Sequence, residues 1–334
     1  MPTFDDVRAQ PAAVRTLRAA VLRDRVASAY LFDGPNGVGK QRAALALASA
    51  LLCPQASGRG CGACDTCRRI TSGNHPDVRL FLPREDGDRN LKVERIREEI
   101  LPFSQFAPFE ARAALAIFPE ADVSFPAHHA EAANALLKTL EEPRPRVHFV
   151  LLASRPDQLL QTIRSRCQRV RFQRLPDRTL LQILEENGAP EAEREAAAAL
   201  ADGRADLALR FAVDGAGKRL VELALRVDQA VEEARSGLLL ELGDELAKHE
   251  DRALVLDTLA TFYRDVAAAA AGLDDDALRF RRDAARIRER AAQLGTARAA
   301  ARAEALRLAQ RDIDANASAQ LVLESLLLTL RAAA

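Results

Sequence analysis

The sequence predicts an α/β domain built on a parallel sheet, followed by segments that are helical throughout. Three observations lead there. Apolar runs of strand length alternate with helical patterns as far as about residue 172. One of those runs stops at a glycine-rich turn that opens a helix. Beyond about Arg204, alanine, leucine and arginine recur at helical spacing and no strand pattern remains.

In chain order, the first pattern is a helix over Pro11–Leu22, with Val14, Leu17, Ala20 and Val21 on one face. Ala29–Phe32 is a buried strand. It runs into Gly34-Pro35-Asn36-Gly37-Val38-Gly39-Lys40, and a helix follows from Lys40 to Leu52. Strand, G-x-x-x-x-G-K and helix form the arrangement that cradles phosphate. The glycines let backbone N–H groups converge, the helix N-terminus adds positive potential, and the lysine reaches the outer phosphates. The next position calls for a Ser or Thr hydroxyl to hold Mg²⁺, and here it is Gln41. A Gly/Cys-rich insertion occupies 53–67. Val78–Leu82 is a second strand and Val93–Leu101 an amphipathic helix. Ala113–Phe118 is a third strand, Glu131–Leu140 a helix and Val147–Ala153 a fourth strand. Leu180–Asn187 and Ala192–Ala201 are short helices punctuated by Gly188-Ala189-Pro190, and the helical remainder breaks near 214–217 and 272–276. The expected domains are therefore 1–172, 173–205 and 206–334.

Composition narrows the function classes. Lys+Arg and Asp+Glu are both 48, so the formal net charge is zero and strong unaided binding of nucleic acid is not expected, although local positive charge could contribute within a larger assembly. No signal-like segment and no apolar run of membrane length is evident, which sets a cytoplasmic expectation with no membrane partner. No paired carboxylates, Ser/His/Asp set or Cys/His nucleophile stands out, and His128-His129 falls in a loop expected to face solvent.

Four of the five cysteines fall within fifteen residues, spaced C-x7-C-x2-C-x2-C at Cys53, Cys61, Cys64 and Cys67. That pattern suits a tetrahedral Cys₄ zinc site. All four positions would be filled by protein, so the metal would be structural, fixing a loop too polar to build its own core. His75 lies nearby but is surplus to a closed site.

Taken together, the phosphate loop, the cysteine insertion after its helix, Asn134-Ala135-Leu136-Leu137-Lys138-Thr139-Leu140-Glu141-Glu142-Pro143 and Ser165-Arg166-Cys167 closely resemble bacterial clamp-loader subunits. These are the AAA+ proteins of DNA polymerase III that load the ring-shaped sliding clamp. The resemblance covers roughly residues 4–175. It implies an AAA+ P-loop domain, a small helical lid and an all-α collar that joins five subunits. It also implies gamma/tau and delta subunits, the beta sliding clamp and primer–template DNA as partners.

The family holds ATP-hydrolysing motor subunits, gamma and tau, and a stationary one, delta prime. Hydrolysis needs a metal ligand on the phosphate loop and an acidic pair after the third strand. Gln41 lacks the hydroxyl, and Pro119-Glu120 puts proline where the Mg²⁺-directing Asp belongs; Asp122 lies two residues too far along. Aligning Gly203-Arg204-Ala205-Asp206 on the lid motif puts Asp206 where motor subunits place an arginine, unless Arg204 substitutes. No Mg-dependent hydrolysis is expected. Whether ATP or ADP still binds through Gly34, Gly37, Gly39 and Lys40, with Ser154 near the γ-phosphate, stays open. The resemblance implies that Arg166 enters a neighbour's ATP site as an arginine finger, although Arg164 and Arg169 flank it, and that Lys138 touches DNA. The alternatives are a gamma/tau-type motor subunit and a stand-alone zinc-containing DNA-binding protein.

Overall fold

A computed structural model describes residues 2–83, 91–125, 130–233, 236–314 and 317–332, and His128-His129 lies outside these. The chain divides into two compact units, Met1–Thr179 and Leu180–Ala334.

In the first unit, α1 (Pro11–Leu22) precedes β1 (Ala29–Asp33), α2 (Lys40–Leu52) and α3 (Asp65–Ser72). Next come β2 (Val78–Leu80) and a helical stretch of α4 (Val93–Arg95), a π-helical turn over Ile96–Ile100 and α5 (Leu101–Gln105). β3 (Ala114–Phe118), α6 (Ala121–Ser124), α7 (Ala130–Glu141), β4 (Val147–Ala153), α8 (Gln161–Arg166) and β5 (Gln168–Arg171) complete it. The five strands lie in the order β2-β3-β4-β1-β5, all parallel.

The unbroken apolar runs in β1, β3 and β4 follow from burial on both faces. Successive residues alternate between two cores. Tyr30 and Phe32 of β1 join Leu115, Ile117, Val150 and Leu152 beneath α1 and α2. Ala29 and Leu31 join Ala116, Phe118, Phe149 and Leu151 beneath α7. This pattern puts the carboxyl ends of β1, β3 and β4 side by side, which is where ligands bind in open α/β sheets.

Besides the short helices α6 and α8, which no pattern in the sequence predicts, β5 and α3 have no strong sequence signature. β5 carries one buried residue, Val170, among Gln168, Arg169 and Arg171, the charged pattern of an edge strand. α3 begins inside the cysteine insertion, with Cys64 as its N-cap and Cys67 in its first turn.

The second unit is entirely helical among its described residues. It takes in most of α9 (Asp177–Glu186), then α10 (Glu191–Leu200), α11 (Ala205–Val213), α12 (Ala216–Glu233) and α13 (Ser236–Lys248). α14 (Arg252–Ala270), α15 (Ala284–Asp314) and α16 (Ala319–Ala332) follow, and α15 is interrupted at Gly295, whose φ of 70° and ψ of 168° leave the helical region. The expected breaks at 214–217 and 272–276 fall at helix ends. At the centre of this unit is a buried ionic cluster. Tyr263 Oη donates to Asp228 at 2.9 Å and Arg290 Nε to the same carboxylate at 3.1 Å. Fully buried Arg302 meets Glu232 at 2.7 Å. No helix among the described residues is long and apolar enough to cross a membrane.

Candidate functional site

The phosphate loop leaves β1 at Asp33 and enters α2 at Lys40. Gly34 cannot carry a side chain, because a Cβ there would sit 2.3 Å from the carbonyl oxygen of Phe172. Gly39 caps α2 with a φ of 96°, the left-handed conformation that favours glycine. Buried Gln10 braces the loop from outside the motif: its amide nitrogen donates to Val38 O at 3.3 Å and Gln173 O at 2.7 Å, and its oxygen accepts from Gln173 N at 2.9 Å.

Lys40 is 7% exposed, and its ammonium donates to the loop's own carbonyls, Gly34 O and Pro35 O, the latter at 2.7 Å. Gln41, one residue on, is exposed. At the end of β3, Pro119 is buried and Glu120 turns out to solvent with a φ of 53°. Asp122 is buried at 3% exposure and already engaged. One of its oxygens accepts from Ser154 N at 3.2 Å, Ser154 Oγ at 2.8 Å and Arg155 N at 2.8 Å. The Ser154 hydroxyl is thereby spent within the chain. In the second unit, Arg204 pairs with Asp206 at 3.0 Å, which ties the two candidate lid residues to each other.

The four clustered cysteines converge. Their Sγ atoms all lie within 4.8 Å of one another. Cys53 and Cys64 are 3.9 Å apart, sulfur to sulfur. A tetrahedral centre with metal–sulfur bonds near 2.3 Å has an edge of about 3.8 Å, and a disulfide needs about 2.05 Å. Spacing and geometry therefore fit a single metal ion, and all five cysteines of the chain are free. The N–H groups of Ala63 and Cys64 donate to Cys61 Sγ at 3.4 and 3.3 Å, which lowers its thiol to about 6. Burial pushes Cys67 up to about 12, a preference that a bound dication reverses.

His75 is no part of this cluster. Its Nδ1 accepts from Asp77 N at 3.1 Å, and its Nε2 lies 3.2 Å from Glu110. Asp77 went unnoticed in the sequence, yet its buried carboxylate accepts the N–H groups of Phe109, Glu110 and Ala111. It holds the loop leading into β3.

The three arginines around Ser165 separate by their partners. Arg169, on β5, donates through Nε to Asp33 at 2.6 Å beside the phosphate loop. Arg164 pairs with Asp157 at 2.9 Å. Arg166, the last residue of α8, donates through Nη1 to Thr162 O at 2.9 Å and through Nη2 to Glu141 at the end of α7. Its side chain is 33% exposed. Cys167 packs against the core beside it, and burial raises its thiol to about 12. Lys138 is exposed on α7.

A parallel sheet in this order, with a glycine-rich phosphate loop after β1, defines a P-loop domain of the AAA+ class. The family model described as DNA polymerase III, delta subunit, matches residues 9–176, half of the 334-residue chain, and the chain belongs to that family. It is 37% identical over 186 residues to DNA polymerase III subunit delta' of Bacillus subtilis, covering 55% of this chain and 54% of that one. It is 32% identical over 287 residues to subunit tau of the same organism, covering 79% and 49%. The chain spans about half the length of the curated relatives it matches. A DNA polymerase III gamma subunit-related protein of Thermotoga maritima aligns with a TM-score of 0.45 and 17% identity over 95% of this chain and 98% of its own, a likeness too low to bear on function.

Proposed function

We propose that this chain is a delta-prime-type subunit of a bacterial clamp loader, one that hydrolyses no ATP of its own and completes a neighbour's ATP site. The observation that carries this reading is the loss of both metal-directing groups around an otherwise intact phosphate loop. Gln41 has no hydroxyl and Pro119 no side-chain oxygen. Asp122, the buried carboxylate three residues after Pro119, is committed to Ser154 and Arg155. With no ligand to hold Mg²⁺, the charge on a transferring phosphoryl group has no counterweight. Any nucleotide held by Gly34, Gly37, Gly39 and Lys40 would be bound passively, and Lys40 would first have to leave its carbonyl partners.

What remains useful to ATP chemistry is Arg166, at the exposed end of α8. A guanidinium keeps its charge and forks onto phosphate oxygens, so it can act on a γ-phosphate held by the next subunit. In this reading residues 1–172 form the ATPase-like domain, 173–205 a lid and 206–334 a collar. Gamma/tau and delta subunits complete a five-membered ring around primer–template DNA, which Lys138 touches, and load the sliding clamp. The cysteine cluster holds structural zinc, because four thiolates close a tetrahedral shell and leave no open position for chemistry.

The match to tau over most of this chain favours a motor subunit as the second reading. ATP turnover by the purified chain with Mg²⁺ decides between them: turnover at motor-subunit rates overturns the first reading. A reconstituted assembly tests the rest, since Arg166→Ala should slow hydrolysis at the adjacent site while leaving the fold and the assembly intact.

A further inference from the structure

The arginine offered to a neighbour is not loose on the surface of its own subunit. Arg166 is the last residue of α8, and α7, which packs beside α8, ends at Glu141, twenty-five residues earlier in sequence. The Glu141 carboxylate accepts from Nη2 and the Thr162 carbonyl from Nη1. A guanidinium carries five N–H groups in a rigid plane, so these two contacts fix the plane and leave the other N–H groups for a phosphate.

From this geometry we infer that Glu141 is a positioning residue for Arg166, setting the guanidinium where it meets the neighbour's phosphate. The inference rests on the trans-acting role proposed above. The carboxylate guides rather than restrains, on grounds of magnitude. The two side chains are 33% and 46% exposed, and an exposed pair of this kind contributes about 1 kcal/mol at most. Charge-assisted, bidentate bonding to phosphate in a shielded interface is the stronger interaction. Glu141 therefore cannot hold the arginine back from phosphate. It can confine a long, flexible side chain to one orientation before the subunits meet, and orientation supplied in advance enters the rate.

The test uses assemblies in which the motor subunit facing Arg166 is the only one able to hydrolyse ATP. Glu141→Ala should lower kcat about two- to five-fold, the range set by an exposed ion pair, with KM for ATP unchanged. Glu141→Gln, which keeps an acceptor of the same shape, should recover at least half of that loss. In an Arg166→Ala background, Glu141→Ala should change nothing further, as expected for groups acting as one unit. An unaltered or raised kcat in Glu141→Ala overturns the inference while leaving the role of Arg166 standing. An equal further loss in the Arg166→Ala background overturns it too, by showing that Glu141 acts elsewhere. If Arg166→Ala itself hydrolyses normally, the trans-acting role falls, and the positioning role falls with it.

Discussion

Two corners of the α/β unit hold a cation suited to phosphate, and they treat it in opposite ways. In the loop after β1, Lys40 is 7% exposed and turned onto Gly34 and Pro35, followed by Gln41, and the end of β3 carries Pro119. At the end of α8, Arg166 is one-third exposed and tied to one carboxylate and one carbonyl. In the function proposed above, the first keeps the shape of a catalytic loop without its metal chemistry. The second keeps one charged group partly exposed at a helix end. Shape and charge have separate physical requirements. A strand-to-helix turn needs glycines for steric reasons whatever it binds, whereas an arginine that acts on a partner needs only exposure and orientation.

The sharpest test of this contrast exchanges the two cations for alanine. Arg166→Ala should slow hydrolysis at the neighbouring site on the order of 10³-fold, whereas Lys40→Ala leaves that rate where it was. Equal effects in a reconstituted ATPase assay would erase the distinction.

The cysteine loop is next in size. Cys67→Ser should abolish stoichiometric metal binding and cost several kcal/mol, since a closed metal site contributes directly to folding. Hydrogen exchange should quicken at Gly58 and Gly60, whose N–H groups bond to Ala50 and Ala56, while the sheet amides stay protected. Full protection of the loop without metal would mean that the metal adds nothing to its order.

At the phosphate loop itself, Gly34→Ala drives a methyl into the Phe172 carbonyl and should cost about 1–3 kcal/mol in urea unfolding, the usual toll of overpacking. If the glycine serves the fold, the loss appears with no nucleotide present. A wild-type midpoint would show that the β1–β5 contact has room to give.

The smallest effect is in acid. Burial pushes His148 below its ordinary value near 6.5, so between the two values the unfolded chain binds more protons than the folded one. The stability it supports is complete above about pH 6.5 and falls as pH drops below it, by at most about 1.4 kcal/mol per pH unit. His148→Gln should flatten that slope between pH 7 and 5.5. An unchanged slope would move the effect to His75, which burial shifts the same way.

Most of this architecture is legible in the residues. β1, β3 and β4 are read from apolar runs that only a doubly covered sheet explains, and the phosphate loop from glycines at fixed offsets. β5 was missed because an edge strand with one buried side chain among three charged or polar ones leaves little periodicity. α3 was missed because the cysteines that open it read as a loop. Within the candidate site, residue types were visible and partnerships were not. Asp122 stood out as a carboxylate in the wrong place, but that it takes the Ser154 hydroxyl depends on two strand ends meeting in space. Glu141 reads as the end of a helix, and nothing in the sequence between them points it at Arg166. Asp77 gave no signal, since its three N–H donors lie more than thirty residues away.

The ionic cluster inside the helical unit has a consequence for alignment. Alanine and leucine helices can slide past one another by a turn and still bury similar surface, so apolar packing alone leaves their register poorly determined. Asp228 and Glu232 of α12, Tyr263 of α14, and Arg290 and Arg302 of α15 meet in one buried cluster, with each arginine paired to an acid of α12. A slip by one turn would strand buried charges at a cost of about 3–5 kcal/mol. A repetitive sequence is thereby biased to one alignment by its few buried polar side chains.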